Sequence, residues 1–354
     1  MTTTTTKRVA VALSGGVDSS VAAALLLQQG YDVEGVTMRL LPLWMDSAHD
    51  DETAERAKAV CESLGIIHHV IDVRDSFESE VIQQYAQEYG DARTPNPCIV
   101  CNESIKFGLL WNWAFDQGFD FFATGHYADT DDSSLKRPKD RVKDQTYFMY
   151  RIPRERLKRI LFPLADMTKA EVKAYAEELS LPSAKSRESQ DACFIEKGDR
   201  HEIVNRWCPS AFECGEIITT EGAVVGTHEG IANYTVGQRK GLRVGGLDEP
   251  YYVTRLEADT NQVVIGQRAE SEITKIQSSD FVIDERALGG SVGKWDVCAM
   301  ARYNMKPILA RLEISEGNMT IELQSPIGGV SLGQSAVCYV GDIVVAGGVI
   351  TCVD

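Results

Sequence analysis

Apolar residues along the first half of the chain recur with two alternating periods, one suited to strands and the other to helices. Residues 8 to 13, RVAVAL, form a short valine-rich run that breaks into SGGVDSS at 14 to 20 and continues as VAAALLLQQG, a helix-forming stretch closed by Gly30. The same order returns several times. DVEGVTMRL at 32 to 40 predicts a strand, a helix follows from about Thr53 to Leu64, HHVIDV at 68 to 73 predicts a strand, a helix follows Ser76, and GFDFFATG at 118 to 125 predicts another strand. Strands alternating with helices imply a parallel sheet whose ligand crevice lies at the strand C-termini. A helix is expected at Lys106, and KAEVKAYAEELS after Met167 predicts one more before the Pro182 turn. From about residue 210 the texture changes to short β-rich runs separated by glycines, the pattern of an all-β barrel or sandwich.

Length and composition set the frame. A chain of 354 residues suits two or three domains, and 44% hydrophobic with 25% charged residues is the balance of a globular protein. No apolar run approaches the ~20 residues of a membrane span. MTTTTTKR carries neither an apolar signal core nor an Arg-rich transit pattern, so a cytoplasmic protein with a short frayed tail is expected. Nine cysteines without an export signal argue for buried, ligating or catalytic thiols rather than a disulfide framework. The net charge of −16 speaks against a nucleic-acid partner, yet residues 136 to 159 hold ten basic and three acidic side chains, a local +7 against −23 elsewhere. That run is either a phosphate-binding strip or a solvated helical face.

SGGVDSS stands between a predicted strand and a predicted helix, where backbone N–H groups and a helix N-terminus make an anion cradle. Gly15 and Gly16 let the backbone approach phosphate oxygens, Ser14, Ser19 and Ser20 offer hydroxyls, and Asp18 is placed to hold magnesium or orient phosphates. The blander alternative is a capped glycine turn with Asp18 as a first-turn charge on the helix dipole. The Gly-Lys-Ser/Thr ending of a Walker A loop is missing. The string resembles the PP-loop of ATP pyrophosphatases, and that resemblance implies attack at the α-phosphate.

DARTPNPCIVCNESIKFG at 91 to 108 spaces Cys98 and Cys101 as a Cys-x-x-Cys with no second pair to complete a zinc site. SRESQDACFIEKGD at 186 to 199 carries Cys193 in a polar, partly basic context expected to favour thiolate. ALSGGVDSS, RTPNPCIVCN, ATGHYA, KDQTYFMY, SQDACFI, YTVGQRKGL and ARYNMKP follow one another in the order found in tRNA-specific 2-thiouridylases, and the chain resembles that family over nearly its whole length. The resemblance implies an α/β fold: a doubly wound parallel-sheet PP-loop domain over 1–207, a small central β-rich domain over 208–269, and a C-terminal, tRNA-contacting β-barrel over 270–354.

It also implies roles, residue by residue. ATP would be held by Ala12, Leu13, Ser14, Gly15, Gly16, Val17, Asp18 and Ser19, with Met38 and Gly125 lining the adenosine pocket. The loop Asn96, Pro97, Cys98 would approach the target base, although many relatives have Asp where this chain has Cys98. Cys101 matches the nucleophile and Cys193 the cysteine that receives sulfur as a persulfide. His126, Lys143, Asp144, Gln145, Arg302, Tyr303 and Gln334 fall where relatives contact tRNA. Arg302 and Tyr303 could instead pair across strands, and Gln334 could cap a turn.

The implied activity is ATP-dependent thiolation at C2 of the wobble uridine of lysine, glutamate and glutamine tRNAs. The uridine O2 is adenylated, pyrophosphate and AMP are released, and an internal disulfide is left behind. Sulfur would come from a persulfide relay protein or a cysteine desulfurase, and a monomer is expected. An alternative account uses Cys98, Cys101 and Cys193 as ligands of an iron-sulfur cluster. Two further readings are a PP-loop ligase, which leaves Cys101 and Cys193 idle, and a nucleotide-binding or RNA-binding module without catalysis.

Overall fold

The computed structural model describes residues 6–45, 48–186, 192–195, 199–242, 244–245 and 249–354. The leading threonines up to Thr5, and Ser189, Gln190 and Asp191 of the SQDACFI motif, lie outside the described residues. The chain forms two compact units: Met1–Val81 with Cys98–Phe194 and Asp342–Val344, and Ile82–Pro97 with Ile195–Gly341 and Val345–Asp354.

In the first unit, strand β1 (Arg8–Ala12) lies at the middle of a parallel sheet, between β2 (Asp32–Arg39) and β4 (Phe121–Thr124). Strand β3 (His68–Asp72) pairs beyond β2, and the short strand Ile160–Leu161 beyond β4, both parallel. Val9, Ala10 and Val11 are fully buried, so β1 reads as a continuous apolar run because both of its faces are covered. Helix α1 (Val17–Gln28) is apolar almost all round for a similar reason. Its Ala23 and Leu26 join Val9, Val11, Val33, Ala57 and Cys61 in one cluster. Its Val21 and Ala22 join Tyr127, Leu164 and Val172 in another. The chain leaves β1 toward β2 on one side and reaches β4 on the other, which makes the C-terminal end of β1 a topological switch point where α/β sheets open a ligand crevice.

Three elements differ from the sequence expectation. Helix α2 spans Ala48–Leu64, starting before Thr53, because buried Asp50 sits in its first turn and accepts the Leu41 amide at 2.7 Å. The helix expected after Ser76 changes winding, from Arg74–Phe77 through a π-helical Glu78–Ile82 to Gln83–Gly90. The helix expected at Lys106 begins at Pro97 and is π-wound over Cys101–Leu110.

The second unit holds a four-stranded sheet in the order 252–257, 262–266, 215–219, 224–228. Its larger antiparallel system runs through 272–278, 318–328, 308–315, 293–300 and 335–340. Residues 82–97 precede all of this in sequence by more than a hundred positions, yet they pack here. Tyr85 and Tyr89 meet edge to face at 5.0 Å, and Arg200 of the helix Asp199–Trp207 lies over Tyr89 at 5.5 Å.

Leu26→Ala should open a cavity against β1 and cost about 2–5 kcal/mol, read as a lower denaturant midpoint of the first unit. An unchanged midpoint would mean that α1 does not anchor the sheet.

Candidate active site

The loop after β1 is shaped by its own serines. Leu13 continues the sheet, its amide donating to Val36 O at 2.8 Å while its carbonyl accepts the Thr37 hydroxyl at 2.8 Å. Gly15 has φ +69°, and a Cβ there would stand 2.6 Å from Arg56 Cβ, so only glycine lets the loop close onto α2. The Gly16 carbonyl accepts the Ser20 amide at 3.2 Å, the Ser19 hydroxyl at 3.2 Å and the Ser20 hydroxyl at 2.8 Å. The Ser19 and Ser20 hydroxyls therefore hold the turn itself, and Ser14 is the exposed member of the three. Met38 lies near the C-terminal end of β2, half-buried and in register with Ile71 of β3. The loop after β4 sits against this turn: a Cβ on Gly125 would be 2.5 Å from the Ser19 amide nitrogen.

Asp18 was expected to face magnesium or phosphate. Its carboxylate is instead held by the Lys169 ammonium, at 2.6 and 2.7 Å, and accepts the Tyr127 hydroxyl at 2.9 Å. Lys169 is buried in the first turn of the helix Lys169–Glu178, whose N-terminus is closed by a capping box between Thr168 and Glu171. The sequence held a signal for it. A lysine at the start of a helix opposes the helix dipole, so that position calls for an anionic partner.

The thiols gather although they are distant in sequence. Cys98 lies in the short helix Pro97–Val100, and Cys101 begins the π-helix, buried. Burial pushes the Cys101 thiol up to about 11, with the Lys106 charge opposing and Cys98 adding to the rise. Burial likewise raises Cys98, again opposed by Lys106. Cys193 is exposed by its solvent area, yet atoms crowd its sulfur. That crowding pushes the thiol up to about 12, ahead of smaller upward contributions from Cys101, Cys98 and Asp50 and an opposing one from Lys106. At Cys193 desolvation outweighs Lys106, so the thiol is raised rather than lowered.

His126 donates to or accepts from Thr124 Oγ1 at 2.9 Å and stacks obliquely on Phe107 at 5.9 Å. Burial, then Lys106, hold its pKa well below the usual histidine value, so it is neutral at physiological pH. Among the described residues Lys106 is the cation that acts on all four of these groups. The sequence reading passed over it, although IKF beside Cys-x-x-Cys placed it on the same helix. Among the described residues no group of three or more His, Cys, Asp or Glu side chains is arranged to hold a metal ion. Cys98, Cys101 and Cys193 form no such group.

The residues expected at tRNA are largely occupied. Asp144 accepts Arg137 Nε at 2.5 Å and the Thr146 amide and hydroxyl at 2.9 and 2.6 Å. The Gln145 side-chain oxygen accepts the Tyr127 amide at 2.9 Å, and the Lys143 amide donates to Asp140 at 3.2 Å. The basic stretch is similarly spent: Lys136 pairs with Asp129, Lys139 with Glu171, Arg141 with Asp342 and Arg151 with Glu103. Arg159 donates to the carbonyls of Asp120 and Phe119. Four carboxylates from outside the window thus offset part of its positive excess.

In the second unit, exposed Arg302 donates to Gly328 O and Gly329 O at 3.0 and 2.9 Å. It lines a cavity of about 530 Å³ with Arg268, Lys306 and Glu272. Tyr303 is half-buried beside it. Asn96 and Pro97 are half-buried in the loop leading to Cys98, and Gln334 donates to the backbone of that loop, to Thr94 O and Pro95 O at 3.0 and 3.3 Å.

Family models match the chain in three consecutive parts. These are a tRNA methyl transferase HUP domain over residues 7–197, a tRNA methyl transferase PRC-barrel domain over 202–267 and an aminomethyltransferase beta-barrel domain over 275–350. The chain is 39% identical to the tRNA-specific 2-thiouridylase MnmA of Treponema denticola, covering 98% of both chains. It is 39% identical to that of Acetivibrio thermocellus over 97% of this chain and 99% of the relative. The chain belongs to the tRNA-specific 2-thiouridylase family. Members of this family are sulfurtransferases, and the expected architecture of a PP-loop sheet followed by two β domains is the one observed.

Three outcomes are expected for this 2-thiouridylase-family site. Gly125→Ala should force apart the β4 loop and the first turn of α1, lowering stability by about 1–3 kcal/mol in thermal melts; an unchanged melt would mean the approach is not tight. Alkylation of Cys101 by iodoacetamide, followed by peptide mass spectrometry, should climb toward a midpoint near pH 11, and a midpoint near pH 9 would indicate an unshifted thiol. Lys106→Gln should move that midpoint further up, because the Lys106 charge that opposes the rise is lost.

Proposed function

We propose that the chain thiolates C2 of the wobble uridine in tRNAs of the lysine, glutamate and glutamine type, using ATP. The observation that carries this reading is the Gly125 and Ser19 contact that ties the β4 loop to the nucleotide turn, on the same unit as Cys98, Cys101, Cys193 and neutral His126, all of which feel the Lys106 charge. Residues 12–19, Met38 and Gly125 receive ATP, which enters with its magnesium as a substrate complex. Lys169 pairs with Asp18, so its ammonium adds positive charge at that end of the loop. The loop Asn96 to Cys98 receives the base. Arg302 and Tyr303, with His126 and the 143–145 loop, meet the RNA.

The uridine O2 attacks the α-phosphate and expels pyrophosphate, which converts a poor leaving group into AMP. A persulfide on Cys193 then attacks C2 through its outer sulfur, and AMP departs with the C2–O2 bonding pair. The Cys101 thiolate attacks Cys193 Sγ, and the S–S bond breaks with its electron pair passing to the sulfur on C2. The products are 2-thiouridine and a Cys101–Cys193 disulfide, which an external dithiol reduces. Both thiols are raised well above neutrality. A bound persulfide, more acidic than a thiol, suits Cys193 in that setting, and Lys106 offsets charge on Cys101. The persulfide comes from a relay protein or a cysteine desulfurase. The enzyme acts as a cytoplasmic monomer. No helix among the described residues is long and apolar enough to cross a membrane.

The test is thiolation of unmodified glutamate tRNA with ATP, magnesium and a radiolabelled persulfide donor, alongside pyrophosphate release. Label should enter the wobble uridine only with ATP, and pyrophosphate release should require tRNA. Cys101→Ser and Cys193→Ser should each abolish single-turnover thiolation. Full thiolation by either variant would overturn the relay, and pyrophosphate release with a small acid instead of tRNA would favour a ligase.

A further inference from the structure

Gln334 precedes the strand Ser335–Val340 in the C-terminal β region, far from the cysteine helix in sequence. Its side-chain nitrogen donates to Thr94 O at 3.0 Å and to Pro95 O at 3.3 Å, the two carbonyls before Asn96-Pro97-Cys98. Its neighbours hold the same segment. The Thr94 amide donates to Leu332 O at 2.8 Å. Gly333, at φ +85°, lets the two backbones meet, since a Cβ there would lie 3.0 Å from Arg93 Cβ, 3.2 Å from Thr94 N and 2.9 Å from Glu88 Oε2.

The clamp is itself fixed. Gly333 N donates to Ile350 O at 3.0 Å, and Ile350 N donates to Gln334 O at 2.7 Å. At the other end of the loop, Arg302 holds Gly328 O and Gly329 O. Prolines at 95 and 97 offer no backbone N–H, so the Thr94–Pro97 segment has few ways to pair its own backbone, and its carbonyls depend on an external donor.

We infer that Gln334 is a positioning residue for the Asn96 to Cys98 loop rather than a contact for RNA: its amide fixes the segment from which the base-approaching loop and the Cys101 helix spring. This deepens the thiolation reading and rests on it for its catalytic consequence. The loop-fixing itself does not depend on that reading. A primary amide suits the task because one –NH₂ offers two donors to two neighbouring carbonyls. A carboxylate of the same shape has no donor and would face both oxygens with like charge.

The experiment compares the wild type with Gln334→Glu and Gln334→Ala in three measurements: amide hydrogen exchange of residues 91–101 in the protein alone, the equilibrium binding of unmodified glutamate tRNA, and the single-turnover thiolation rate. Thermal melts confirm that each variant is folded, and Gln334→Ala serves where the carboxylate perturbs folding. Faster exchange in 91–101, tRNA affinity within about twofold of wild type and a thiolation rate lowered by about tenfold to a hundredfold is the expected result, in line with the cost of a small misplacement near reacting groups. Unchanged exchange with tRNA affinity weakened tenfold or more would overturn the inference in favour of a direct RNA contact. Unchanged exchange and unchanged affinity would overturn it as well. If the wild type itself does not thiolate tRNA, the thiolation reading fails, and the exchange and binding measurements still decide the role of Gln334.

Discussion

The fit of Gly125 against the first turn of α1 is the constraint on which the candidate site depends. A parallel sheet can place two strand ends beside each other, but it leaves side chains between the loops that follow. Here a glycine at the end of β4 and a turn folded by its own serines bring backbone against backbone at the switch point. The His126 ring is thereby set beside Phe107 on the π-helix that begins with Cys101. Nucleotide turn, histidine and thiol helix are linked by a short series of contacts within one unit.

That series also explains the electrostatics. A site that keeps thiols and a histidine away from water holds them neutral, so reactivity must come from a local charge or an incoming group rather than from standing ionisation. Lys106 is that local charge. Lys169 does the corresponding work for Asp18, where an unpaired carboxylate beside an anion site would repel the phosphates it stands next to.

Much of this was legible in the sequence because it is local. The strand, glycine loop and helix at 8–28 follow from adjacent residues, and so do the two cysteines at 98 and 101 and the change to β texture near 210. What was not legible depends on partners far along the chain. Lys169 lies 151 positions from Asp18, Gln334 lies 240 from Thr94, and the carboxylates that partly offset the basic stretch lie mostly outside it. The charge of a window predicts a field only if its ions remain solvated, and these are largely paired. The expected thiolate at Cys193 failed on the same ground: sequence shows which charges are nearby in the chain, whereas packing decides how much water is left around the sulfur.

The interleaving of the two units has a consequence for how the protein is made. Residues 82–97 belong with 195–341 and 345–354, and residues 342–344 return to the first unit. A ribosome that has emitted the nucleotide loop and both cysteines of 98 and 101 has still not supplied the partners of the segment between them. Domain-by-domain folding from the N-terminus, the usual economy of multidomain chains, cannot finish the second unit before the final strands emerge. A product truncated even a few residues short would lose the closing strand Cys352–Val353, and the segment 82–97 must wait through most of the synthesis for the partners it packs against.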